Sequence, residues 1–467
     1  MTIQSPSPAR PASTAPPVTA PGAHRRLLDQ GLGTLPDDDP ALAGLLDAEA
    51  RYQQENLAMV AYASLAHPSV LAAAGSALSN VTAEGYPGAR YHPGSRWFDQ
   101  VERLATDRAA ALFGARYANV QPHSCSSANL SVLFTLMRPG DTLLGLDLDA
   151  GGHLTHGAPA SVTGRCFHAV HYGLGPDGRV DLEQVADLAR RHRPKVIVAG
   201  ASAYPRTWDY AAFRAVADEV DAYLLADISH IAGLVAAGAH PSPVDIAHVT
   251  TTSTYKQLAG PRGGLILLGA AADTARGAAS RTPLAERIQR GVFPRTQGTP
   301  DAAAIAAKAR ALALAAQPRF TTLAHRIKAN ARALADALSA RGHRLVSGGT
   351  DNHMVLLDLS GGTVTGAAAE EALQDCGILA NRNRVPGDTR PPLVTSGLRL
   401  GTNILAQRGM SPSDMAVCAE LVDTVVRGLR ARSGGGHRLE PAVRDRVRAA
   451  VRELCDRFPV PLYPAVR

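Results

Sequence analysis

Along this chain, short apolar runs alternate with stretches whose apolar positions recur at helical spacing. From residue 117 the order is strand 117–120, helix 127–137, strand 142–148, strand 166–171, helix 181–191, strand 195–199, helix 210–220 and strand 222–226, with further strands over 249–252 and 265–268. This alternation predicts βαβ units around a mostly parallel, buried sheet, an α/β fold. Ahead of it, residues 25–60 read as largely helical, with Leu42, Leu45 and Leu46 at helical spacing, and a second helix covers 97–113. An alanine-rich helix over 301–316 leads to a changed pattern: helix 320–340, strand 354–359, helix 367–376, strand 398–401 and helices 411–431 and 441–458. The expected organisation is a disordered Pro/Ala/Ser/Thr-rich tail over 1–23, a large domain over 24–318 and a small C-terminal α/β domain over 319–467.

Composition narrows the class. Of 467 residues 45% are hydrophobic and only 4% aromatic, so the core must be mainly aliphatic. The net charge of +7 comes without a basic cluster interleaved with aromatics, which argues against nucleic acid as a partner. No apolar run approaches the roughly 18 residues of a membrane span, and the N-terminus lacks a charged-then-apolar signal pattern. The five cysteines are odd in number and form no CxxC pair. That argues against a disulfide framework or zinc site and fits a reducing, cytoplasmic setting.

Candidate chemistry centres on Lys256. The chain has four lysines (Lys195, Lys256, Lys308, Lys328), so 44 of its 48 basic residues are arginine. A lysine among threonines and glycines, where charge alone is written as arginine, suggests amine chemistry, since a guanidinium cannot form an imine. Four other segments fall where an α/β sheet places ligands, at strand ends beside helix starts. They are His123–Ser127, whose hydroxyls and helix-start N–H groups suit a phosphate; Gly151–Gly157 with two imidazoles; Ser202-Ala203-Tyr204; and Ala226–His230, with a carboxylate and an imidazole. A phosphate nest, an imidazole, a strand-end carboxylate and a lysine match what pyridoxal phosphate needs. A metal site of Asp227, His230 and His153 is the rival reading; it lacks a supporting pattern, and no metal is expected.

The chain resembles the serine hydroxymethyltransferase family of fold-type-I pyridoxal-phosphate enzymes from about residue 40 to the C-terminal segment Leu454–Pro459. The resemblance rests on EGYPGARY (84–91), YANVQPHS (117–124), GGHLTHG (151–157), ADISHIAGLVAAG (226–238), LAGPRGG (258–264), TDNHMVLLDL (350–359) and SGLRLGT (396–402). It implies that Lys256 carries the cofactor imine, Asp227 pairs with the ring nitrogen and His153 stacks on the ring. Ser202 and His230 would lie near the ring's 3-oxygen. Ser124, Cys125 and Ser126 would hold the phosphate, helped by Gly263 and Gly264 of a neighbouring subunit. Arg399 would grip the substrate carboxylate, with Glu84, His230 and Tyr91 as catalytic candidates. Shared sites imply a homodimer or homotetramer.

Departures from the family gather on the substrate side. Tyr62 stands for a serine, Thr82 for a tyrosine, His92 for the second tyrosine of a pair, Cys125 for a glycine, Ser127 for a glutamine and Tyr255 for a histidine. Residues handling the cofactor match while those facing substrate (Tyr62, His92, Tyr255) differ. The expectation is therefore an enzyme that cleaves or forms the Cα–Cβ bond of a β-hydroxy-α-amino acid with an altered substrate, either a threonine transaldolase using an aldehyde or a hydroxymethyltransferase for an α-substituted serine. The alternatives are ordinary serine/glycine chemistry with tetrahydrofolate, or the same cofactor turned to decarboxylation, β-elimination or oxidative deamination.

Overall fold

The computed structural model of the chain describes residues 22–274, 282–431 and 436–463. The tail expected over 1–23 lies outside these up to residue 21, and Ala23 already opens a helix. The chain divides into a unit ending at Asp47 and a unit of Ala48–Arg467. Helices α1 (Ala23–Asp38) and α2 (Pro40–Glu55) contain no buried residue. The helix expected to run to residue 60 stops at Glu55, because Leu57 and Ala58 pair in parallel with Ile378 and Leu379.

Seven strands carry the larger unit: β1 (Tyr117–Asn119), β2 (Thr142–Leu146), β3 (His168–Tyr172), β4 (Val196–Gly200), β5 (Tyr223–Asp227), β6 (Val249–Ser253) and β7 (Gly264–Leu268). Their spatial order is β1-β7-β6-β5-β4-β2-β3. β7 alone runs against its neighbours, antiparallel to β6 and β1; the pairs from β6 to β3 are parallel. The inner strands β2, β4, β5 and β7 read as apolar runs because both of their faces are covered. Leu144, Ile197, Leu224 and Leu265 point into one cluster, and their neighbours Leu143, Val196, Leu225 and Ile266 into the other.

The helices that matter for the site are α3 (Arg96–Phe113), α4 (Cys125–Leu136), α5 (Leu182–His192), α6 (Tyr210–Glu219) and α7 (Ala302–Ala315). Two strand boundaries lie two residues from where the pattern puts them. β2 ends at Leu146 because the chain turns back there, with the Gly152 N–H donating to the Asp147 carbonyl at 2.8 Å. Cys166, expected to open a strand, instead closes the short helix Val162–Cys166, whose start Ser161 caps.

From Pro318 the long α8 (Pro318–Ala340) leads to a second, antiparallel sheet. Its strands are β8 (Arg344–Leu345), β9 (Met354–Asp358), β10 (Asn381–Asn383) and β11 (Gly397–Gly401), in the order β8-β9-β11-β10. Val355, Leu357, Leu398 and Leu400 form its core with Leu334 and Leu338 of α8. Among the described residues no helix is long and apolar enough to cross a membrane. All five cysteines are free thiols.

Candidate active site

The C-terminal ends of β4 and β5 and the first turn of α4 open into one cleft, the place where parallel sheets expose strand ends and helix N-termini together. Ser124, Cys125, Ser126, His153, Ser202, Asp227, His230, Tyr255 and Lys256, scattered over more than a hundred positions of sequence, all line it. Ser124 is the N-cap of α4; its hydroxyl accepts from the Ser127 N–H at 3.0 Å. The helix therefore starts two residues earlier than its apolar pattern predicts, and Cys125 and Ser126 belong to its first turn. A positive φ of 99° at Gly151 lets the His153 turn lie against the loop after β4, where the Ser202 and Ala203 N–H groups both donate to the Gly151 carbonyl.

Asp227, the last residue of β5, is the most heavily supported group. Its Oδ2 accepts from Asn129 Nδ2 at 2.8 Å and lies 3.2 Å from His156 Nε2. Its Oδ1 accepts from the Ser229 hydroxyl at 2.6 Å and the Ser229 N–H at 3.0 Å. Burial alone would raise its pKa. The hydrogen bond and charge of His156, then the charge of His153 and the Ser229 hydroxyl, outweigh burial and hold it well below the usual carboxylate range. A carboxylate so fixed remains an anion inside the protein.

Lys256 is only 8% exposed. Burial pulls its amine below the ordinary lysine value, with Asp227 opposing, which favours the neutral amine that imine formation requires. Burial and the neighbouring His156 lower His153 to about 4, so at neutral pH it presents an uncharged ring. Its Nδ1 sits 2.8 Å from the Thr155 hydroxyl. His230 is pushed well below its ordinary value by burial, then by Lys256 and Arg399. Its Nδ1 is buried without a hydrogen-bond partner, and its ring stacks on His353 at 5.9 Å.

Arg399 reaches the same region from β11. Its Nε donates to Asn381 Oδ1 at 3.1 Å and its Nη1 to the Ser202 carbonyl at 2.5 Å. Burial lowers its pKa to about 10, so it remains a cation. Tyr62 lies over this guanidinium, 5.4 Å from ring centre to Cζ. Tyr255 is covered by Arg262 at 3.9 Å on the ring beside Lys256, and burial raises its phenol pKa.

Other sequence-picked residues lie elsewhere. Glu84, Tyr91 and His92 form a group of their own on a hairpin: Glu84 Oε2 is 3.7 Å from His92 Nε2, and Tyr91 packs on Phe293. None of the three is among the residues lining the cleft. Gly264 donates its N–H to the Pro122 carbonyl of its own chain at 2.9 Å, and Gly263 accepts from the Thr254 N–H.

Asn129, Ser229 and His353 were not singled out from sequence, and His156 was counted only as the second imidazole of the 151–157 segment. Asn129 falls four residues after Cys125 on α4, the same helix face, and His156 follows His153 in the glycine-flanked motif, so spacing held a signal for both. The rival metal set is rearranged: donor atoms of His153, His156 and Asp227 lie within 4.8 Å of one another, and His230 is outside the group. Those atoms are engaged with one another and with Asn129, Thr155 and Ser229, an arrangement that fixes Asp227 as an anion.

The residues fit pyridoxal phosphate. The cleft has a buried amine, a fixed anion for a ring nitrogen, a capped helix start for a phosphate and, in His230 Nδ1, a buried polar atom in want of a partner.

Comparison with known proteins agrees. The sequence pattern of the family described as "Serine hydroxymethyltransferase" matches residues 35–422. The chain is 48% identical over 447 residues to a serine hydroxymethyltransferase of Synechococcus sp. (strain JA-3-3Ab), covering 93% of this chain and 98% of that protein. It is also 48% identical over 434 residues to one of Rhodospirillum centenum (92% and 97% covered) and 45% identical over 439 to one of Crocosphaera subtropica (94% and 98%).

Proposed function

The chain belongs to the serine hydroxymethyltransferase family of fold-type-I, pyridoxal-phosphate-dependent transferases, and from that premise we propose that it moves the hydroxymethyl carbon of serine to tetrahydrofolate, leaving glycine. Members of the family hold the cofactor as an imine on a lysine and use tetrahydrofolate as a substrate. The observation that carries the reading is the buried Lys256 amine opening into the same cleft as the fixed Asp227 anion. The altered substrate expected from the departures has weaker support than this ordinary reaction, because similarity to proteins named for it extends over nearly the whole chain.

When bound, pyridoxal phosphate supplies an electron-poor ring that withdraws the pair left on Cα. The protein's residues do the rest. Asp227 holds a proton on the ring nitrogen, and the uncharged His153 ring offers a flat apolar face. Lys256 supplies the amine. Arg399, pinned by Asn381 and the Ser202 carbonyl, receives the amino-acid carboxylate as a planar partner. Breaking Cα–Cβ requires a base for the side-chain hydroxyl proton and then an acid to return a proton to Cα; Glu84 and His230 are the candidates.

The family is oligomeric, and we read this chain as a homodimer or homotetramer. Glu84, Tyr91 and His92 lie outside the lining of their own chain's cleft, so we assign them to a neighbouring copy's site. Five free thiols suit a reducing compartment, and we place the protein in the cytoplasm.

One observation favours the altered-substrate reading: Tyr62, where the family has serine, covers the carboxylate-binding Arg399. Turnover of serine with and without tetrahydrofolate separates the two. The ordinary reaction gives folate-dependent glycine. Folate-independent release of acetaldehyde from threonine, or turnover of α-methylserine in preference to serine, would overturn it.

A further inference from the structure

Of the four lysines, Lys308 is the most deeply enclosed, 2% exposed on α7. Its amine makes no hydrogen bond to a carboxylate; burial lowers its pKa to about 7, with the charges of Asp301 and Glu102 opposing. Its three donors go to three backbone carbonyls: Val120 at 2.6 Å, Pro122 at 2.9 Å and Gly264 at 3.2 Å. A lysine has three N–H donors in a compact head, so each is matched. A guanidinium is planar and larger, which explains why this arginine-rich chain keeps a lysine here.

The three carbonyls belong to two segments. Val120 and Pro122 form the turn from β1 into Ser124, the cap of α4; Gly264 opens β7. The segments are pressed together: a Cβ on Gly264 would lie 2.4 Å from the Ser124 carbonyl oxygen, and a Cβ on Gly263 2.1 Å from Lys308 Cε. Gln297 holds a further carbonyl of the turn, that of Gln121, at 2.9 Å.

We propose that Lys308 is a positioning residue for the cofactor phosphate, a three-carbonyl clamp that fixes the β1–α4 turn so that Ser124, Cys125 and Ser126 present their donors to the cleft. It touches neither cofactor nor substrate and acts through the turn alone. The two glycines of the 258–264 motif thereby gain a role inside their own chain, making room for the clamp and for the Ser124 carbonyl. This inference rests on the reading that the α4 start holds the phosphate.

The test compares two ligands on the purified apoprotein, pyridoxal phosphate and pyridoxal without its phosphate. Dissociation constants are read from the visible imine band below the unfolding temperature of each variant. Lys308→Met keeps the stem and removes the donors; it should weaken pyridoxal phosphate by about tenfold or more while leaving pyridoxal unchanged. Lys308→Gln, which retains two donors, should fall between and serves where the methionine variant does not fold. Equal weakening for both ligands, or a lowered melting temperature with neither affinity changed, would reduce Lys308 to a structural residue. Absence of any imine band from the unmodified protein supplied with pyridoxal phosphate would instead sink the cofactor reading itself, so the two failures are distinct.

Discussion

Asn129 Nδ2 and Asp227 Oδ2, 98 positions apart in sequence, meet at 2.8 Å. The same amide nitrogen donates to the Thr155 hydroxyl at 2.8 Å, and Asn129 Oδ1 accepts from the Thr251 hydroxyl at 2.6 Å. One fully buried side chain therefore ties α4, β5, β6 and the histidine turn into a single unit. Replacing it by alanine strands several buried polar partners. We expect Asn129→Ala to lose about 1–3 kcal/mol of stability in urea unfolding and to weaken cofactor binding as Asp227 loses a donor. An unchanged unfolding midpoint would remove Asn129 from the supporting set.

Acid should destabilise this protein earlier than its carboxylates alone would predict. Burial holds both His153 and His248 at about 4, against an ordinary histidine value of 6.5. Between those values the unfolded chain takes up protons that the folded chain refuses, so stability falls as pH drops through that window. The geometry gives the same sign: each ring accepts a backbone N–H through Nδ1, from Thr155 and Leu224 respectively, and protonation would end that bond. Asp227, depressed well below its ordinary value, adds a contribution present above that value and lost only in stronger acid. The urea midpoint should decline steadily from pH 7 to pH 4, and His248→Gln should flatten the decline. A midpoint constant over this range would contradict the assignment.

Arg399 should not tolerate lysine. Its Nε and Nη1 are occupied by Asn381 and the Ser202 carbonyl, and a lysine cannot keep both bonds while meeting a carboxylate in plane. Arg399→Lys is expected to raise KM for serine by about tenfold or more, with a smaller effect on kcat. Steady-state kinetics with saturating cofactor check this, and an unchanged KM would move the carboxylate site elsewhere.

If the Glu84 hairpin serves a neighbouring copy, two inactive variants should rescue each other. Glu84→Gln and Lys256→Ala proteins, each nearly inert alone, are mixed after mild dissociation and reassociation. In randomly formed dimers half the molecules are hybrids with one intact site each, so about a quarter of normal activity should return. No recovery, with hybrids confirmed by native mass spectrometry, would place both residues in one chain's site.

The parallel sheet was legible because its inner strands β2, β4 and β5 are buried on both faces, which turns them into apolar runs bounded by turns. The reversed strand β7 was not: Leu265–Leu268 reads the same in either direction, and only its pairing with Thr250–Ser253 and Tyr117–Asn119 sets its sense. Within the cleft, groups with distinctive chemistry were readable: a rare lysine, a strand-end aspartate, a capped helix start. Asn129 showed only in its spacing from Cys125, and Ser229 not at all, because a hydroxyl that supports another side chain carries no local mark. That Glu84, Tyr91 and His92 sit in a loop was visible in the glycines and prolines around them; the pairing that makes it a hairpin and their absence from the lining of the cleft depend on the folded chain.

The 2.1 Å approach of a notional Gly263 Cβ to Lys308 Cε makes the two positions a lock and its key. A side chain at 263 would push the lysine head off its carbonyls, and even without the lysine the Thr254 hydroxyl, 3.0 Å from a notional Cβ, still crowds that position. Engineers grafting this cleft onto another scaffold would have to carry both residues.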